Sequence, residues 1–312
     1  MSWRILTISK PSELFAERFQ LVCRSKETQD EQIRLPLEDI AALIIESRES
    51  SISSWLLSEC AERGIAVFSC DETHTPSGLF LPFMGHSRFT EMAWLQQSCS
   101  EPFKKRCWQR LIQAKIRNQA KVLRLAGKKS SVSLPAMASR VQSGDAENYE
   151  GQAARVYWEA LFDSFSRDAN DKRNSALNYG YAILRGAVAR AISGAGLLPC
   201  FGLHHANKLN AFNLADDLLE PYRPFVDLKV LRLIDPQEGK EQKELSLAER
   251  QRLVAILSDN AILDGKQEKM LSACEKSVFS LACAMRQKDP KALLLPEIPL
   301  PQESLCPADG RD

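Results

Sequence analysis

The stretch from Gly202 to Asp227 reads GLHHANKLNAFNLADDLLEPYRPFVD. It holds His204 and His205, two of the four histidines, and three closely set acids, Asp216, Asp217 and Glu220. Carboxylates this close together are costly to desolvate unless a cation sits among them. Asp217 and Glu220 are three apart and share one face of a helix over Asn213 to Glu220. Pro221 and Pro224 follow at once and should kink or end that helix. Two carboxylates beside an imidazole at a helix end form a candidate divalent-metal site. The plainer reading of the same residues is a capped helix with solvated acids.

Outward from this stretch the chain reads as helical on both sides. Upstream, Asn174 to Ala195 is apolar with many small residues and predicts a buried helix, in which Asn178 and Tyr181 need partners. Before it, a helix is expected from Asp145, as its cap, to about Ser166. Gly151 inside that helix costs about 1 kcal/mol relative to alanine, which points to close approach by a backbone or ligand. Ser130 to Gly144 reads as a serine-rich loop. Phe103 to Leu125 is a strong amphipathic helix carrying Lys104, Lys105, Arg106, Arg110, Lys115, Arg117, Lys121 and Arg124 with no acid among them. Such a face either tracks phosphates, with Lys115, Arg117 and Lys121 as candidate DNA contacts, or meets acids from elsewhere. Downstream, Ser246 to Leu257 and Gln267 to Arg286 predict two more helices. Residues 291 to 312 read as a flexible, proline-rich tail.

The first 90 residues follow a different period. Trp3–Ser9, Arg18–Arg24, Gln32–Leu35, Ile40–Ile45, Ile65–Ser69 and Leu79–Leu81 are strand candidates, and the continuously apolar Ile40–Ile45 belongs in a central position. Ser53–Arg63 has helical spacing with Gly64 as C-cap. The expected class is therefore α+β: a small β-rich domain over 1–90, then a larger all-α domain over 91–290. His74 and His86 are isolated loop histidines in this reading.

Composition bounds the rest. The chain has 312 residues, 44% hydrophobic and 26% charged, with a net charge of +1, so no global basicity announces nucleic acid. Nine cysteines without a CxxC pair fit reduced, mostly buried thiols and exclude a disulfide framework or zinc finger. No apolar signal core or run of about 18 apolar residues is present, so a cytoplasmic protein without membrane contact is expected.

Three separated motifs, EG at Glu150–Gly151, NSALNYGYAIL from Asn174, and the quoted stretch, resemble in order the CRISPR-associated adaptation integrase/endonuclease family, in its type II, subtype II-C form. The resemblance covers essentially the whole chain. It implies a β-rich dimerisation domain and a helical catalytic domain. It also implies a metal-dependent enzyme that inserts short foreign DNA fragments into a CRISPR array by 3′-hydroxyl attack on a target phosphodiester. The family's metal ligands and catalytic residues fall on Glu150, His205 and Glu220, and a further acid falls on Asp217, expected beside rather than on the metal. Mg2+ or Mn2+ suits this donor set. The implied partners are double-stranded DNA, a second copy of the chain, and a smaller ferredoxin-like CRISPR adaptation protein. Two other readings stand beside this one: a stand-alone metal-dependent nuclease for branched or repair DNA, and a non-catalytic DNA-binding subunit with a structural metal.

Overall fold

The run IAALII (Ile40–Ile45, strand β5) is buried on both faces, which is why it lacks the polar–apolar alternation of a half-exposed strand. In the computed structural model, which describes residues 4–28, 32–82, 86–128, 133–162, 165–235 and 244–301, β5 lies inside a four-stranded sheet. The order is β1 (Arg4–Ile8), β5, β7 (Ala66–Cys70), β8 (Pro76–Phe80), parallel except for β8. Ile40 and Leu43 point with Ile65 and Val67 into a core belonging to the N-terminal region. Ala41, Ala42 and Ile44 point with Ala66 and Phe68 into the core of the helical region. A second sheet, order β4 (Gln32–Pro36), β3 (Gln20–Ser25), β2 (Ser12–Glu17), β6 (Ser51–Ile52), contributes Leu14 and Leu21 to the first of these cores. Helix α1 (Ser54–Arg63) closes it with Leu56 and Cys60. Its ends are as expected: the Ser53 side chain accepts from Leu56 N–H, and Gly64 takes the left-handed conformation (φ 64°) that a C-cap requires.

The helical region contains α2 (Phe89–Gln97), α3 (Glu101–Leu125), α4 (Ser133–Arg140), α5 (Tyr149–Leu161), α6 (Lys172–Gly194), α7 (Asn213–Leu219), α8 (Arg223–Leu233), α9 (Leu247–Val254) and α10 (Met270–Gln287). α3 runs through its middle, burying Trp108, Leu111, Ile112, Ile116, Val122 and Leu123. Several expectations need correction. The supposed Ser130–Gly144 loop contains α4, whose Leu134 and Ala138 are buried; residues 130–132 lie outside the described set. The region is not all-α, because Asn260–Leu263 (β9) and Lys266–Lys269 (β10) pair as a hairpin. Asp264 and Gly265 turn it with φ of 51° and 72°, the two positive values a type I′ turn needs. The tail is packed onto the helical region over its described part. Leu293 and Ile298 are buried, and Glu297 exchanges two backbone hydrogen bonds of 2.8 Å with Ile262. Residues 302–312 lie outside the described set. Among the described residues no helix is long and apolar enough to cross a membrane.

The two regions are locked rather than loosely linked. Glu46, just past β5 and 2% exposed, receives Arg250 of α9 at 2.9 and 3.1 Å and the Tyr179 hydroxyl of α6 at 3.2 Å. A carboxylate this deep needs such partners, because water cannot reach it. Nearby, Gly186 of α6 lets the Phe68 ring lie against the helix; a Cβ there would sit 2.0 Å from the ring.

Candidate functional site

The three acids of the Asp216–Glu220 stretch each find a separate cationic or N–H-rich partner, which answers how they are desolvated. Asp216 takes a two-pronged contact from Arg185 of α6, at 2.6 and 2.9 Å. Asp217 is fully buried and turns back into the loop that precedes its helix. Its Oδ2 accepts from Leu203 N–H at 2.5 Å and His204 N–H at 3.0 Å, and its Oδ1 accepts from His205 N–H at 3.1 Å. The same Oδ1 lies 2.6 Å from His205 Nδ1. This clamp explains Gly202, where a Cβ would stand 2.8 Å from Asp217 Oδ2 and 2.3 Å from the His205 carbonyl oxygen.

Glu220 occupies a 3-10 turn, Glu220–Tyr222, between α7 and α8. Pro221 and Pro224 therefore kink the path without stopping it, because each lacks the N–H that would continue the α pattern. Asn118 of α3 secures the kink, donating to Pro221 O at 2.8 Å and to Pro296 O at 2.9 Å. Glu220 Oε1 accepts from Arg223 at 2.8 Å, and Oε2 lies 2.5 Å from the Lys115 ammonium. Burial alone would raise this carboxyl, but Lys115 and Arg223 outweigh it and lower it to about 2. Oε2 is buried, and the Lys115 ammonium is the charge that reaches it.

Glu150 stands in the first turn of α5, where the helix dipole favours an anion. Two residues fix that turn. Asp145 accepts from the N–H groups of Tyr149 and Glu150, both at 2.9 Å, and Asn148 accepts from Gly151 N–H at 3.1 Å. Gly151 is thus explained by the cap and not by a ligand: a Cβ would meet the Asn148 amide at 2.8 Å. Glu150 Oε1 is 2.6 Å from Lys115 Nζ, so one ammonium bridges Glu150 and Glu220. Burial would lower the Lys115 pKa, but the two carboxylates raise it.

His204 and His205 divide as adjacent side chains do. The His204 ring stacks on Trp108 of α3 at 4.2 Å between centroids, and His205 meets the same indole edge-on at 5.6 Å. The hydrogen bond to Asp217 is the main cause of a raised His205 pKa. With Nδ1–H given to Asp217, the Nε2 lone pair is the one left for a ligand.

Trp108 and Lys115 are seven residues, or about 10 Å, apart along one face of α3. The imidazole and the carboxylate pair thus occupy neighbouring levels of that face. Among the described residues no three His, Cys, Asp or Glu side chains converge at ligating spacing. The residues nevertheless suit a divalent cation: two carboxylates, that of Glu220 almost fully buried, already share one positive charge.

The three candidate DNA contacts on α3 stand in different surroundings. Lys115 is buried within the site, and Lys121 is paired with Glu297 at 2.7 Å; Arg117 is exposed. The acids that meet Lys115 and Lys121 come from elsewhere in the chain. Asn178, expected to be buried, is exposed and accepts from Arg167, while Tyr181 donates to the buried Asp227. Trp108, Arg185 and Arg223 were not foreseen as site residues; only Arg223, three residues after Glu220 on a helix, had a readable signal.

Comparison with known proteins adds three findings. The family model described as "CRISPR associated protein Cas1" matches residues 6–255. The CRISPR-associated endonuclease Cas1 of Neisseria meningitidis serogroup C (strain 8013) is 41% identical over 300 residues, covering 96% of this chain and 97% of that protein. Two solved structures share the fold at 18% identity. A casposase bound to integration product has a TM-score of 0.73, covering 93% of this chain and 92% of the other. A Cas6-RT-Cas1–Cas2 complex has a TM-score of 0.70, covering 94% of this chain and 36% of the other.

Proposed function

This chain belongs to the Cas1 family of CRISPR-associated endonucleases, and from that premise we propose that it integrates short foreign DNA fragments into a CRISPR array through the Glu150–His205–Glu220 site. The observation that carries this reading is the meeting of Glu150 and Glu220, from α5 and from the kink after α7, on one face of α3 beside an imidazole held by Asp217.

In strand transfer a DNA 3′-hydroxyl attacks a target phosphodiester, and the displaced strand leaves with its own 3′-hydroxyl. No covalent enzyme intermediate is needed, so no serine or tyrosine nucleophile is assigned. Glu150, Glu220 and His205 Nε2 would hold Mg2+ or Mn2+. That ion supplies stabilisation of the attacking oxygen and of charge developing on the phosphate. Asp217 fixes the tautomer and orientation of His205, and Arg223 orients Glu220 through Oε1. Exposed cations of α3 such as Lys105, Arg106 and Arg117 offer contacts to DNA phosphates.

The finer placement in subtype II-C of type II systems rests on the sequence motifs and the Neisseria meningitidis relative. Two copies joined through the β-rich region, with two such dimers flanking a small ferredoxin-like partner, complete the reading, in the cytoplasm. Its support is the Cas2 subunit named in the related complex, and the exposed Phe19 and Trp55 on the β-rich region, 77% and 63% accessible.

The test is a plasmid assay. Purified protein with its small partner, a short duplex bearing free 3′-hydroxyls and a supercoiled repeat-bearing plasmid are incubated with Mn2+ or Mg2+. Joined, relaxed product is expected, and Glu150→Ala should abolish joining while keeping DNA affinity. Cleavage without joining would refute integration.

A further inference from the structure

The ammonium of Lys115 stands where a cation bound by Glu150 and Glu220 would have to stand. Its Nζ lies 2.6 Å from Glu150 Oε1 and 2.5 Å from Glu220 Oε2, and its side chain is 11% exposed. Apart from this nitrogen no group among the described residues bridges the two glutamates, whose other contacts differ. Glu150 sits at a helix start capped by Asp145 and Asn148, and Glu220 keeps Arg223 on Oε1. Glu220 therefore retains one counter-charge if Lys115 withdraws. Each acid thus offers one carboxylate oxygen to this nitrogen, and neither holds it alone. The residue type suits a temporary occupant. An ammonium is a compact charge on a flexible four-carbon stem, which can swing aside as a guanidinium fork cannot.

We propose that Lys115 is an internal counter-cation: it holds the two acids together before metal binds, and the incoming divalent ion must displace it. This inference rests on the reading of Glu150 and Glu220 as metal ligands. Lys115 then has two opposed effects. It stabilises the metal-free fold by neutralising the like charges of buried Glu220 and half-buried Glu150, and it weakens metal binding by competing for the same oxygens. A lysine with a purely structural role would have only the first.

The experiment is calorimetric titration of the metal-free full chain with MnCl2, for the wild type, Lys115→Met and Glu150→Ala, with thermal melts of each. Lys115→Met should bind Mn2+ about tenfold more tightly, the factor that one pKa unit of competing charge represents. It should also melt lower without metal and gain more from Mn2+ than the wild type does. If the wild type binds Mn2+, Glu150→Ala does not, and Lys115→Met binds no tighter than wild type, the displacement is refuted and the metal site stands. If neither wild type nor Lys115→Met shows saturable binding, both readings fail. Should Lys115→Met not fold, the wild type still decides. Reductive methylation followed by peptide mass spectrometry should find Lys115 protected without metal and modified at saturating Mn2+. Protection that persists at saturation overturns the proposal.

Discussion

Replacing Asp217 by asparagine tests the site at the residue that organises it. The carboxylate faces four donors: the N–H groups of Leu203, His204 and His205, and His205 Nδ1. An asparagine keeps the shape but has one oxygen and one NH2. With its oxygen toward Leu203 and His204, its NH2 opposes two donors on His205. Two charge-assisted hydrogen bonds are lost, at about 1.5–3 kcal/mol each, so about 3–6 kcal/mol of loop and fold stability is at stake. The imidazole can relieve one clash by moving its proton to Nε2, but this blocks the nitrogen needed for a metal. Mn2+ affinity should therefore fall by about 10–100-fold, with joining activity falling alongside. The His205 pKa, raised mainly by the Asp217 hydrogen bond, should return toward the ordinary range. Calorimetry with MnCl2, the plasmid assay, a thermal melt and an NMR titration of the imidazole read these effects separately. Wild-type Mn2+ affinity in a variant with an unchanged melt would refute the clamp.

His205→Ala should abolish metal-dependent joining, whereas His204→Ala should keep substantial activity and lose only its stacking on Trp108; the plasmid assay with each metal checks this, and the reverse pattern would exchange their roles. Asp227 is raised from 3.8 to about 6 by burial, against hydrogen bonds from Tyr181 and Tyr157. The folded state thus holds a proton that the unfolded state releases, so stability contributed by Asp227 is present below pH 3.8 and declines as pH rises through 6, by about 3 kcal/mol. Denaturant midpoints of Asp227→Asn should lack that decline. Gly186→Ala forces a methyl against Phe68 and should cost about 1–3 kcal/mol, seen as a lower melting temperature.

The places where the sequence reading failed share a cause. Lys115 and Lys121 have no acid within reach on α3, so their fate depended on Glu150, Glu220 and Glu297, which only folding brings near. The proline-rich end resembled a mobile tail because composition reports solubility and not a docking surface. Asn118 supplies that surface by donating to Pro296 O and accepting from Ile298 N–H. α4 was hidden by serines whose helix is held by two buried apolar residues. The β9–β10 hairpin had a readable signal, since Asp264–Gly265 is a favoured I′ pair.

What the residues alone determined was local: caps at Ser53 and Gly64, the buried strand Ile40–Ile45 and the kink at Pro221; the candidate set Glu150, His205, Asp217 and Glu220 is what the family resemblance of short motifs implies. Each depends on backbone sterics, side-chain periodicity or a short motif, all encoded within a few neighbouring residues. Tertiary structure alone decided which charges distant in the sequence meet. Coulomb attraction and desolvation act through space, so only the packing of α3 against α5 and the α7–α8 kink could turn Lys115 from a surface cation into the charge between Glu150 and the buried Glu220.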